Sequence, residues 1–467
     1  MREVEPQRKK HWAERERSRE ELHAEAVDAE YGPSEKRSHA KPKEGWNSKR
    51  RRLLVLLIAG MVAAFLFLTY SPTGNEWLVR LAGAAAQPAE EVQANPETPA
   101  VEEDPQPADE EPQPADEEPQ PADEEPQPAA SESSATEEEP VNVYAATMAP
   151  EVKDSLADLP ERVYVPNVID GTITVIDPKT FKITDSYPVG QLPFHVTPSW
   201  DMTKLYAGNE QSSTLTVIDP QTGRPSGTVD AAFPYNLYYT PDGSKTIVVA
   251  ERLQRIGIRD TKTWELLGSV YIPSPGVDHL DFSADGSYLL ASSEYSGVVS
   301  KVDMNKMELV GHAEVTGALP VDIKLSPDGK VFYVANQGSG GVSVIDPDSM
   351  KEIGFIPTGE GAHGLQISKD TKSIYVSNRL EGTISVIDLA TRKVTDTWVT
   401  GGTPDMFQLS TDGRQLWVSG RYDGAVYVLD TETGKLLTTI YTGNQPHGIS
   451  YFPNSGRYSL GHNGVYR

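Results

Sequence analysis

A short signature recurs seven times in this chain and constrains its fold more than any other feature. TVID ends at Asp177 and Asp219, SVID ends at Asp346 and Asp388, and weaker copies end at Asp260 (GIRD), Asp303 (SKVD) and Asp430 (YVLD). The steps between successive copies are 42, 41, 43, 43, 42 and 42 residues. Self-similarity at such a period is the mark of a repeat architecture in which each unit buries its faces against its neighbours.

Each unit has the same internal order. An opening stretch such as LPVDIKLS alternates apolar and polar residues, then a turn follows: TPDG at 240–243, SADG at 283–286, SPDG at 326–329, STDG at 410–413. A second strand, a Gly-containing turn, the TVID-type strand and a fourth strand such as KEIGFIPTG complete the unit. Alternation with Asp, Gly, Asn and Pro in the turns reads as four short antiparallel strands. That is one propeller blade, and the fold class is all-β, a seven-bladed β-propeller. The first unit starts at its second strand, so HGISYF at 447–452 is expected to supply the missing opening strand and close the ring. The tail RYSLGHNGVYR at 457–467 has no place in this scheme beyond that of an extra second strand.

The second strands end in YVPN (164–167), YAGN (206–209), YVAN (333–336) and YVSN (375–378). With SPDG and SVID, these resemble the YVTN-family β-propellers of the lactonase-like superfamily. The resemblance covers about 162–467 and implies the same seven-bladed fold. Two units depart from it, reading IVVAER and LLASSEY at the second strand. They are expected to be specialised.

The ring is preceded by three segments of different character. Residues 1–52 are charged and net basic, with almost no apolar face, and read as a disordered cytoplasmic arm. Residues 53–70, LLVLLIAGMVAAFLFLTY, carry no charge. Eighteen residues of helix span about 27 Å, enough for a bilayer core. Lys49, Arg50, Arg51 and Arg52 flank this run and place 1–52 in the cytoplasm, with everything after 70 outside. The long polar stretch before the run favours a retained anchor over a cleaved signal peptide, which stays as the alternative. Residues 71–160 contain PQPADEE three times and read as an extended acidic stalk. The chain has a formal net charge of −26, and most of it sits in that stalk. The propeller, 161–467, is only mildly acidic, and its lack of a basic excess argues against nucleic acid. With no cysteine anywhere, disulfides, thiol nucleophiles and Cys-ligated metals are excluded.

The repeated aspartates are best explained as turn residues. Function is expected on the opposite face, where opening strands begin and second strands end. The opening strands place His195, Asn236, His279, Asp322, His363, Asp405 and His447 there, one per blade. His363, Asp405 and His447 sit one position out of register with the others, so strand alternation predicts that not all seven face the channel. Glu251, Glu294, Arg379 and Arg421 follow the second strands nearby, as do Glu210 and Arg252. No P-loop, Rossmann or nucleophile pattern implies a cofactor or a reaction. Metal sharing is expected only between neighbouring blades. Two readings follow. One is a membrane-anchored, extracytoplasmic binding or scaffolding module for an envelope protein or glycan. The other is a lactonase-like hydrolase or metal-dependent enzyme using the same His, Glu and Arg residues.

Overall fold

The computed structural model describes residues 141–467. The charged arm, the apolar run and the stalk up to 140 lie outside the described residues. Among the described residues, no helix is long and apolar enough to cross a membrane.

Seven four-stranded antiparallel sheets form the ring. Blades 2 to 7 are continuous in sequence, at 193–230, 236–271, 277–314, 320–357, 362–399 and 404–441. Blade 1 is composite. Its strands Arg162–Asn167, Thr172–Asp177 and Lys182–Pro188 take Ser450–Phe452 as their innermost member. Arg162 pairs with Phe452, Val163 with Tyr451 and Tyr164 with Ser450. The ring therefore closes as the repeat count requires.

The middle strands of each blade carry the packing. Their Val, Ile and Leu side chains are buried on both faces because each blade is covered by the next. Between blades 7 and 1, Trp417 is fully buried with Val163, Val165, Ile176 and Tyr451. Removing such a side chain typically costs about 3–5 kcal/mol.

The repeated polar residues have structural work. Asp177 accepts from the Lys179 N–H at 2.9 Å and from the Thr180 hydroxyl at 2.8 Å, closing its turn. The terminal Asn of the YVxN strands is a clamp. Asn378 Nδ2 donates to the Thr383 and Ser385 hydroxyls, both at 2.9 Å, and its Oδ1 accepts from the Gly359 N–H at 3.0 Å. Asn209 does the same with Thr214, Thr216 and Gly190. Since Gly190 and Gly359 lie in the connections between blades, the clamp joins neighbours as well as strands. In blades 3 and 4 the clamp position holds Ala250 and Ser293. There the chain instead enters short 3-10 turns, Glu251–Leu253 and Glu294–Ser296.

Two segments extend the ring beyond the repeat. The folded unit reaches back to 141, before the boundary expected at 161. Tyr144 is buried, and its hydroxyl donates to the Leu325 carbonyl at 3.0 Å. Residues 457–467 do not form a second strand of a blade. They fold as a hairpin, with Ser459 bridged to Tyr466, that enters the channel from the face bearing the Asp-Gly turns. Tyr239 N–H donates to the Leu460 carbonyl at 2.9 Å, and His462 N–H donates to the Leu237 carbonyl at 2.6 Å. Gly461 has φ +96°, and a Cβ there would lie 2.4 Å from the Leu237 carbonyl oxygen. Only glycine lets the hairpin approach that closely.

Candidate functional site

The hairpin leaves the channel to be read from its other end, the upper mouth. All seven opening-strand residues are buried there. The alternation argument fails for a local reason. The pairing of opening and second strands shifts at the mouth in five blades, between Pro193 and Val196, Val277 and Leu280, Pro320 and Ile323, Ala362 and Leu365, and Pro404 and Phe407. An irregularity of this kind re-aims side chains that a regular strand would send to the other face.

Five imidazoles converge on the axis. The His195 ring centroid lies 4.8 Å from that of His447, 5.5 Å from His279 and 5.0 Å from His462. His363 joins at 5.9 Å from His447 and 6.5 Å from His279. His195 and His279 are two blades apart, so the expectation that only adjacent blades could share an ion is incorrect. The mouth is narrow enough for side chains from non-adjacent blades to meet.

Charged partners divide the cluster into two halves. On one side Asp405 is central. His447 Nδ1 lies 2.5 Å from its Oδ2, His363 Nδ1 lies 3.0 Å from Oδ1, and Arg379 Nε donates to Oδ1 at 3.1 Å. Tyr235 Oη and His447 Nε2 are 3.3 Å apart, which extends the chain to Tyr235–His447–Asp405–Arg379. Burial opposes charge on Asp405, but Arg379, His447 and His363 outweigh it and hold the carboxyl well below the usual range. Burial lowers His447 to about 3 and His363 to about 4.

On the other side, Asp278 Oδ2 is 3.3 Å from His279 Nδ1. Burial alone would lower His279, yet Asp278 lifts it above the ordinary value. His195 and His462 are pushed well down, chiefly by burial. Asp322 takes Lys324 Nζ at 2.7 Å and the Leu365 N–H at 2.9 Å, and Asn236 Nδ2 is 2.8 Å from His462 Nδ1.

The second-strand residues rim this core. Glu251 and Glu294 stand on the 3-10 turns of two of the three blades that lack the Asn clamp, the third having Gly420 at that position. Burial and the Asp278 charge raise both to about 7. Gln337 bridges Glu294 and Arg379, donating to Glu294 Oε1 at 3.4 Å and accepting from Arg379 Nη1 at 2.6 Å. Glu210 pairs with Arg252 at 3.1 Å, and Arg421 lies over the Phe194 ring at 5.5 Å. Five members of the centre are absent from the sequence-based set: His462, Asn463, Asp278, Tyr235 and Lys324. Asp278 and Tyr235 immediately precede set members, whereas His462 and Asn463 belong to the hairpin that the repeat does not explain.

Comparison with known proteins agrees with this architecture. The model of a family described as YNCE-like beta-propeller matches residues 141–457. No curated protein matches the chain. Among solved structures, a functionally unknown protein from Desulfotomaculum acetoxidans is similar at 16% identity and a TM-score of 0.56, covering 63% of this chain and 99% of that one. Dihydro-heme d1 dehydrogenase NirN is similar at 18% identity and a TM-score of 0.50, covering 64% and 78%. Hydrazine synthase of Kuenenia stuttgartiensis has 19% identity and a TM-score of 0.49, covering 55% and 88%. At these identities the likeness is one of fold.

Proposed function

This chain belongs to the YNCE-like beta-propeller family, and from that premise we propose that it is a binding module held outside the cell membrane, taking an envelope protein or glycan on its upper face. The observation that carries this reading is an apolar and aromatic rim around the charged mouth. Loops and strand ends on that face expose Tyr441 (74%), Val399 (69%), Leu380 (66%), Tyr295 (62%) and Tyr422 (61%). Exposed tyrosines around a polar centre suit recognition, because they offer large rigid contact area and a hydroxyl for little conformational entropy. Loops on a rigid ring are also where such contacts are commonly placed.

The tether is part of the same proposal. The apolar run at 53–70 serves as the anchor, its basic flank sets the orientation, and the acidic Pro-rich stalk holds the ring away from the bilayer. Protease added to intact cells should remove the propeller while leaving 1–52 protected. Protection of the propeller instead would reverse the topology.

The binding face is tested by substitution. Full-length chain, immobilised from detergent, is compared with a Tyr295→Ala, Leu380→Ala, Tyr422→Ala variant and with Leu437→Ser, exposed on the outermost strand of blade 7. Specific capture of an envelope component should vanish with the first and persist with the second. Equal capture by both variants refutes the reading.

The second reading, a metal-dependent or hydrolytic site, is favoured by one observation, the packing of several imidazoles around a single point.

A further inference from the structure

We propose that His195, His279 and His462 form a binding site for a divalent late-transition cation such as Zn2+, with the third ligand delivered by the hairpin 457–467. The inference rests on reading the upper mouth as a ligand site, and it names the chemistry of its centre.

One ligand nitrogen from each of the three residues lies within 4.8 Å of the other two. Around a tetrahedral ion with bonds of about 2.0–2.1 Å, ligand nitrogens stand about 3.4 Å apart. Small movements of three ring side chains close that difference. All three residues are at most 2% exposed.

The hydrogen bonding points the same way. His195 Nδ1 lies 2.8 Å from Asn463 Oδ1, an acceptor, which fixes the proton on Nδ1. Its Nε2 then presents a lone pair, and that atom is buried with no hydrogen-bond partner. His279 Nδ1 faces Asp278 Oδ2 at 3.3 Å as a charge contact without hydrogen-bond geometry, and its Nε2 is likewise buried without a hydrogen-bond partner. Asp278 is itself fixed, accepting from the Ser292 hydroxyl at 2.9 Å and the His279 N–H at 2.8 Å. A histidine oriented through one nitrogen by a carbonyl or carboxylate, with the other left free, is the usual preparation for metal ligation. His462 Nδ1 lies 2.8 Å from the Asn236 amide nitrogen, so ligation through Nε2 requires Asn236 to turn its oxygen towards Nδ1; Nε2 itself has only long contacts, 3.3 Å to Asn463 Nδ2 and 3.9 Å to Asp322 Oδ1. An unpaired buried imidazole nitrogen costs free energy, so two aimed at one point need a reason.

The donor set identifies the ion class. Three neutral imidazoles suit Zn2+, Cu2+, Ni2+ or Co2+ and are poor ligands for Mg2+ or Ca2+, which prefer oxygen. Three protein ligands are one short of a closed structural zinc site and leave a fourth position for water or a ligand group. The ligand residues span blades 2 and 4 and the hairpin. Binding therefore ties the hairpin to the ring.

The test uses the full-length chain, stripped with chelator and equilibrated with Zn2+ by dialysis. One equivalent of zinc should bind, and the thermal midpoint should rise with zinc. Co2+ in its place should give the absorption of a tetrahedral site. His462→Gln keeps an amide able to meet Asn236 and should weaken zinc binding at least 100-fold, abolishing the zinc-dependent shift while the metal-free midpoint stays near that of the wild type. His195→Gln gives a second variant should that one fail to fold. Substoichiometric zinc in the wild type, or binding unchanged in either folded variant, overturns the inference. If zinc fails to bind while the rim variant still loses its envelope ligand, the metal site falls and the binding module stands. If zinc binds but the rim variant captures normally, the converse holds.

Discussion

Arg467 Nη2 lies 2.7 Å from Asp281 Oδ1, with both side chains buried in the channel. Asp281 is otherwise occupied, its Oδ2 accepting from the Leu325 N–H at 2.8 Å. The Arg467 guanidinium also sits 5.5 Å from the Tyr144 ring centroid. One ion pair thus joins the hairpin, blade 4 and the segment before the ring.

Arg467→Ala should therefore destabilise the propeller far more than a surface charge deletion would. It leaves Asp281 buried and uncompensated, at a cost of about 3–5 kcal/mol. Arg467→Lys should recover part of that. Urea unfolding followed by tryptophan fluorescence measures both. A loss below 1 kcal/mol for Arg467→Ala, within about the range of exposed pairs, would show that the hairpin is not locked by this contact.

The Asn clamp gives a second prediction, with an internal control. Asn378→Ala removes two donated bonds and one accepted bond between largely buried groups, and should cost about 2–3 kcal/mol. Ser293 occupies the equivalent position in blade 4, and its hydroxyl has no hydrogen-bond partner. Ser293→Ala should be close to neutral. Similar losses at both positions would mean that the motif is maintained by packing and not by its amide.

These two cases mark how far the sequence could be read. The period of the TVID strands specified the blade number and the composite first blade because both follow from counting. The YVxN departures in blades 3 and 4 were visible, and they coincide with the turns that carry Glu251 and Glu294. What strand alternation predicted wrongly was that the seven opening-strand residues could not all meet at the mouth, because pairing irregularities there, at His363 and Asp405 among others, break the two-residue period. His462 was out of reach for a different reason. Its partners, Asn236, Asn463 and Asp322, meet it only after the hairpin enters the channel, and no local pattern encodes that entry.

Glu294 supplies a prediction with a defined pH window. Its carboxyl is raised to about 7 by burial and by Asp278. A raised carboxyl contributes stability at low pH and loses it as pH rises from the unfolded value through the folded one, here from about 4.5 to about 7. Glu294→Gln keeps an oxygen to accept from Gln337 and removes the charge. It should stabilise the protein by on the order of 1–2 kcal/mol at pH 8 and leave it unchanged at pH 5. Equal effects at both pH values would assign the change to packing instead.

The histidines act in the opposite direction and can be isolated from the glutamates. His363 and His447 are held near 4 and 3, mainly by burial, and His195 and His462 are also lowered. A lowered histidine is bound by more protons in the unfolded chain, so stability falls as pH drops from about 6.5 towards the folded values. His279 is raised and opposes this, as do the raised carboxyls of Asp278 and Glu210, three groups against four. The turn aspartates such as Asp260 and Asp388 have lowered values too, but they act near and below pH 4, outside the window. In a Glu251→Gln, Glu294→Gln background, unfolding free energy should therefore decline between pH 7 and pH 5, His363 and His447 each contributing about 2 kcal/mol before mutual coupling and His195 and His462 acting in the same direction. Saturating zinc should steepen the decline if His195 and His462 hold the ion, since protons compete for the same lone pairs. A free energy that is flat or rising towards pH 5 would mean that the four lowered imidazoles are not held neutral inside the ring.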